Sequence, residues 1–174
     1  MTPLLPTPHR PSHLHNLRFE ATDGTGDKST FIDAVSIFKA GSSAIKVEAE
    51  DYDAMNGILL VPTTDTVGGI SVGYVDAGDW MIYTAGLPSA GIYNVEFRVA
   101  SPSNGSRLLL KSGGTTLATV DVPNTGAWEA WTTVVVPNLT LAEMQTLRVE
   151  AVTNGINFNW IQFTPVVVVS GHSV

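Results

Sequence analysis

The chain has no cysteine, which removes thiol catalysis, thiolate metal sites and disulfide staples together. A chain of 174 residues that is 44% hydrophobic can bury a core without staples, so their absence fits any compartment. Histidine is missing where it would matter. All four, His9, His13, His15 and His172, lie in the two tails, which excludes a histidine-dependent triad or a histidine-ligated zinc from the central region. Charge is sparse: 14% of residues, nine basic against sixteen acidic, for a net −7. The basic residues are scattered, and phosphate binding needs them clustered, so no nucleic-acid partner is expected. No apolar run approaches the roughly 20 residues of a membrane-spanning helix, and the Val166–Val169 run is far too short, so no membrane partner is expected. Met1–Asn16 has four prolines and no apolar h-region, and so does not read as a signal peptide.

Helical periodicity is nearly absent as well. What replaces it is short runs with period two, separated by Gly, Pro, Asn and Ser clusters. In Tyr93-Asn94-Val95-Glu96-Phe97-Arg98-Val99 the odd positions are apolar and the even ones polar, as in a half-buried strand. Leu147–Ala151 repeats the pattern. Leu108–Leu110 and Thr132–Val136 are continuous runs, which suit strands covered on both faces or at the centre of a sandwich. Turn chemistry falls at Pro88–Gly91, Ser103–Gly105, Ser112–Gly114 and Pro123–Gly126. The only helix candidate, Leu141–Gln145, is too short to matter. Roughly ten strands in about 120 residues imply an all-β, two-sheet β-sandwich of jelly-roll type.

The organisation expected along the chain is a disordered leader at 1–16, a hairpin plus linker at 17–40, a sandwich domain at 41–165 and a tail at 166–174. The hairpin reading rests on an internal repeat. Leu17-Arg18-Phe19-Glu20-Ala21 matches Leu147-Arg148-Val149-Glu150-Ala151, and Phe31–Ile37 parallels Asn157–Phe163. Residues 17–39 thus read as the closing hairpin of an upstream module, with an apolar face through which an otherwise monomeric chain would self-associate. The whole is expected to be an excised piece of a larger secreted bacterial protein.

Two carboxylates stand out near the domain's start. Glu48 and Glu50 are i and i+2, which on a strand puts them on one face about 6.5–7 Å apart. That separation suits a glycosidase acid/base pair. It also suits a hard cation, because two carboxylates on one face with no basic neighbour repel each other. Asp76 and Asp79 are a further acidic pair, but Asp79 sits in a tight glycine turn, where Asp commonly bonds the backbone. A small glycoside hydrolase or lyase, and a protein-adhesion sandwich with no sugar site, therefore remain alternatives.

Three patches in fixed order carry a resemblance. They are Val72-Gly73-Tyr74-Val75-Asp76-Ala77-Gly78-Asp79-Trp80, Thr125-Gly126-Ala127-Trp128-Glu129-Ala130-Trp131 and Asn157-Phe158-Asn159-Trp160. In combination (VGYxDxGDW, TGxWxxW, NxNW) they resemble carbohydrate-binding module family 6, over about 120 residues. The resemblance implies a non-catalytic module that tethers a secreted glycoside hydrolase to a polysaccharide of the xylan, β-glucan or agarose class. It implies that Tyr74 and Trp128 are the walls of a slot that grips a sugar ring, with Asn157 at the floor. Many members carry an Asn where this chain has Ser71, so a wall hydrogen bond is expected to be weakened there. Trp131 and Trp160 are expected in the core. A second surface used in the family would involve Trp80 and an acidic residue at position 61; here that residue is Val61. The resemblance also implies a structural Ca²⁺ held by Glu48, Glu50, Asn159 and a main-chain carbonyl near Ile70.

Overall fold

The computed structural model describes residues 43–66 and 68–166. Among these there is no helix, and eleven strands form two antiparallel sheets, as the period-two runs predict. In chain order they are β1 (Ile45–Glu48), β2 (Ala54–Asn56), β3 (Leu59–Pro62), β4 (Ile70–Val75), β5 (Trp80–Gly86), β6 (Gly91–Ala100), β7 (Ser106–Ser112), β8 (Thr115–Val122), β9 (Thr132–Leu141), β10 (Met144–Ala151) and β11 (Ile156–Pro165). The first sheet runs β3-β4-β11-β6-β9, and the second β2-β5-β10-β7-β8. β1 and β4 divide β11 between them: β4 pairs with its start at Ile156 and Phe158, β1 with Trp160–Phe163.

The core lies between the sheets. From the first come Tyr93, Val95, Phe97 and Val99 on β6 and Phe158, Ile161 and Phe163 on β11. From the second come Met81 and Tyr83 on β5, Leu108 and Leu110 on β7, and Leu147 and Val149 on β10. The Phe97 and Phe158 rings meet at 6.2 Å between centroids. Each such side chain contributes about 1.5–3 kcal/mol by leaving water. The two buried tyrosines keep their hydroxyls paired, Tyr83 donating to the Ala49 carbonyl (2.7 Å) and Tyr93 to that of Ser89 (2.6 Å). An unpaired phenol there would cost much of what the ring gains.

Several expectations are corrected. Leu141–Gln145 is no helix but the end of β9, a two-residue turn and the start of β10, with the Ala142 amide donating to the Gln145 side chain (2.9 Å). The apolar run Thr132–Val136 is not covered on both faces. β9 is the edge of the first sheet, and its residues alternate, with Val135 49% exposed. Leu109 likewise points to the outer face of β7, half-buried. Neither Trp131 nor Trp160 is in the core. Trp160 lies half-buried on the outer face of the first sheet, with the Lys46 ammonium 5.8 Å from its ring centroid. The leader at 1–16 and the hairpin at 17–39 lie outside the described residues.

Candidate functional site

The slot walls owe their place to a break in sheet register. On β11, Ile156 and Phe158 pair with Val75 and Val72 of β4, so the single residue Asn157 faces two, Gly73 and Tyr74, and β4 carries one extra. That residue is Tyr74, whose φ is +55°. A bulge re-aims side chains at the edge of a site, and here it lets Val72 and Val75 both point into the core while Tyr74 is expelled, 69% exposed. Left-handed backbone costs a non-glycine residue about 1–2 kcal/mol. The strain sits at a residue the core does not need.

The opposite wall, Trp128, rides on the β8–β9 loop and is 50% exposed. The loop is pinned from both ends. Thr125 and Ser101 exchange hydrogen bonds, the Thr125 amide donating to the Ser101 carbonyl (2.7 Å) and the Ser101 amide to Thr125 Oγ1 (3.0 Å). Asn157 donates through Nδ2 to the Trp128 carbonyl (3.0 Å), fixing the turn that carries the indole. Between the walls lies a cavity of about 320 Å³ lined by Val61, Pro62, Gly73, Tyr74, Trp128, Glu129 and Asn157. Its floor exists because position 73 is glycine. A Cβ there would stand 2.9 Å from Val61 Cγ2 and 3.2 Å from Asn157 Oδ1, filling the space a ligand would take.

The structure thus brings Tyr74, Trp128 and Asn157 together around one slot. Ser71, expected on its wall, does not line it: the residue is fully buried opposite Val61, its hydroxyl with no partner among the described residues. Val61, which stands where the resemblance puts the acid of a second surface, lies in this slot. Trp80 belongs to the other sheet, half-buried under the Arg148 guanidinium, 4.6 Å from its ring centroid. Residue 61 and Trp80 therefore do not share a face. Glu129 escaped the sequence reading, and the signal was available as an acidic residue framed by two tryptophans. Its Oε2 accepts from the Thr64 amide (2.8 Å), the Thr63 and Thr64 hydroxyls (3.0 and 3.2 Å) and the Trp131 indole (3.2 Å). Burial works against its charge, but these bonds outweigh it and hold the carboxyl below the usual range.

A second cavity, about 470 Å³, is lined by the other expected residues: Glu48, Glu50, Asn159 and Ile70, with Lys46, Asp65, Arg98 and Trp160. Two details differ from expectation. Glu50 is in the turn after β1, not on the strand. The carboxylates also have a basic neighbour, since Lys46 Nζ lies 2.7 Å from Glu48. Asp65 is committed to Arg98, accepting at 2.8 and 2.7 Å, and to Asn159 Nδ2 at 2.8 Å. The Arg98 hydrogen bonds, against burial, hold Asp65 far below the ordinary carboxylate range. Glu50 is the opposite case. Its Oε2 is buried with no partner among the described residues, and burial first, then the charges of Glu48 and Asp51, push its pKa up. An unpaired carboxylate oxygen beside a second carboxylate and an asparagine whose amide NH₂ is turned to Asp65 is a donor set that fits a hard cation. Among the described residues no three acidic, histidine or cysteine side chains are placed to share one metal ion, so the remaining ligands would be neutral oxygens. Asp79, by contrast, binds backbone as expected, accepting from the Asp76 amide at 2.8 Å.

Comparison with known proteins agrees with the motifs. The family model for carbohydrate binding module (family 6) matches residues 48–165. The chain is 33% identical over 142 residues to the clotting factor G alpha subunit of Tachypleus tridentatus, covering 75% of this chain and 20% of that protein. It is 41% identical over 116 residues to the beta-agarase AgaA of Microbulbifer thermotolerans, covering 62% and 27%. The chain therefore spans about a quarter or less of these relatives' length. Among solved structures it is similar to a carbohydrate binding module of Cellvibrio mixtus lichenase 5A in complex with cellotriose, with TM-score 0.65 and 37% identity over 71% of this chain and 98% of that one.

Proposed function

The chain belongs to carbohydrate-binding module family 6, a family of non-catalytic sugar-binding modules, and we propose that it grips its saccharide between Tyr74 and Trp128. The observation that carries this is the pair of exposed aromatic rings flanking a cavity whose floor is kept open by Gly73 and given polarity by Asn157. A pyranose presents C–H groups on its faces and hydroxyls at its edge. Two rings cover the faces, while the Asn157 amide, with only Nδ2 engaged among the described residues, meets edge hydroxyls. Few groups engage and hydroxyl desolvation offsets much of the gain, so dissociation constants of order 10⁻⁵ to 10⁻³ M are expected, about −4 to −7 kcal/mol. The substrate class is xylan, β-glucan or agarose, and the module tethers a secreted bacterial glycoside hydrolase, working outside the cell where such polymers are.

The reading includes a structural Ca²⁺ in the second cavity, held by Glu48, Glu50, the Asn159 side-chain oxygen and a main-chain carbonyl near Ile70. The unpaired Glu50 oxygen supports it. The ion would neutralise a carboxylate that burial otherwise penalises, joining β1, β11 and the start of β4.

Affinity electrophoresis on gels containing xylan, laminarin, agarose and barley glucan tests the sugar reading. Retardation by at least one polymer, lost in Trp128→Ala, is the expected result. Equal migration of wild type and Trp128→Ala on every retarding gel would sink it.

A further inference from the structure

We propose that Glu129 is the positioning residue of the sugar slot, locking the Trp128 turn to the Val61–Thr64 segment so that wall and floor meet at fixed spacing. The inference rests on the slot reading above and adds a residue to it. The two sides of the slot come from distant parts of the chain. Trp128 belongs to a long loop, while Val61 and Pro62 end an edge strand. Loops of this kind carry no ladder to hold their separation. One carboxylate oxygen does so here. Oε2 gathers donors from both sides, the Thr63 and Thr64 hydroxyls and the Thr64 amide from one and the Trp131 indole from the other, at 2.8–3.2 Å. The residue gripped on the far side directly follows Pro62, and the residue doing the gripping directly follows Trp128, both of which line the cavity.

The charge is part of the device. Four donors converging on one oxygen are satisfied best by an anion, and bonds to charged acceptors are roughly twice as strong as neutral ones. Thr63 is itself buried and its hydroxyl also accepts the Asp65 amide (3.2 Å), while Asp65 is held by Arg98. The anchor on the far side is therefore rigid. A stacking wall held in place in advance spares the ligand the cost of ordering it.

Calorimetric titration with cellotriose, xylotriose, laminaritriose and neoagarotetraose, using whichever binds the wild type most tightly, tests the assignment. Glu129→Ala should weaken that affinity at least about tenfold, the lower end of what losing bonds to a charged acceptor costs. Glu129→Gln keeps an acceptor oxygen at the same reach but loses the charge, and should recover only about half of the loss. Thr64→Ala removes a donor that lies outside the slot and should cost about threefold, the scale of one hydrogen bond. In a Glu129→Ala background the Thr64→Ala effect should vanish, since the two act through one contact. Affinity within twofold of wild type in Glu129→Ala, or a Thr64→Ala effect that survives in that background, would overturn the assignment. If Glu129→Ala does not fold, Glu129→Gln and Thr64→Ala decide alone, and unchanged affinity in both overturns it. Trp128→Ala is the control for the underlying reading: undiminished binding in that variant, or no binding of any probe by wild type, refutes the slot and this assignment with it.

Discussion

Tyr74 can be removed in two ways that differ only in the backbone, and the comparison measures the strain that builds the slot. Tyr74→Ala and Tyr74→Gly delete the same ring, so both lose the same wall and the same modest packing of a side chain that is 69% exposed. Alanine must still adopt φ near +55°, at a cost of about 1–2 kcal/mol. Glycine adopts it freely, but its more flexible unfolded chain offsets roughly 0.4–1 kcal/mol of that advantage. The Gly variant should therefore be the more stable by about 0.5–1 kcal/mol, a Tm difference of roughly 2–5 °C for a domain of this size. Both variants should fail to bind the polymer that retards wild type. Parallel thermal melts by circular dichroism, with affinity gels on the same samples, give the two readouts. If Tyr74→Ala melts at or above Tyr74→Gly, position 74 is not held in the left-handed region. The bulge between β4 and β11 would then not be what turns the ring outward.

The remaining predictions address the second cavity and the floor. Glu50→Gln should raise the Tm of chelator-treated protein, because the raised pKa marks a charged form that burial disfavours. It should also abolish any gain on adding Ca²⁺, which for wild type at a hundred times the dissociation constant is about 2.7 kcal/mol. A wild-type melt indifferent to chelator and Ca²⁺ would remove the ion. Asp65 titrates with the other sign. Its folded pKa lies below its unfolded value of about 3.9, so the stability it contributes is present above that pH and is lost as pH falls through the folded value. Wild type should thus lose Tm steadily below about pH 4 and Asp65→Asn should lose less over the same range; identical slopes would contradict the Arg98 pairing. Gly73→Leu should abolish sugar binding by filling the floor, and normal retardation of a folded Gly73→Leu variant would put the ligand elsewhere.

The fold was legible because it depends on spacing along single strands. β6 and β10 show their buried faces in every second letter, and a run such as Tyr93–Val99 admits no helical reading. What misled was composition taken without position in the sheet. Thr132–Val136 has the letters of a central strand, yet β9 is an edge, and an edge is a property of which strands happen to pair. Trp131 and Trp160 have the letters of a core, but the indole of one is claimed by Glu129 and the face of the other by Lys46.

The slot was half legible, for a reason its geometry supplies. Its walls lie in motifs that are contiguous in sequence, so Tyr74, Trp128 and Asn157 could be named. Its floor and its fastening are made of pairs far apart in the chain. Val61 meets Gly73 across β3 and β4, and Glu129 reaches Thr63 and Thr64 over 66 and 65 residues. Position 61 is matched to the acid of a second surface beside Trp80 by counting along the chain, while the sheet order puts the two positions on different sheets. A single glycine shows how the two kinds of information join. Gly73 is read in sequence as part of a turn-like motif. In the fold it is a buried strand residue whose missing side chain is the cavity. The motif is therefore less a turn than the imprint of a ligand-sized space, with the strained tyrosine beside it. Glycine and tyrosine act on the cavity as a pair: one residue leaves the room, and the next, displaced by the bulge, borders it.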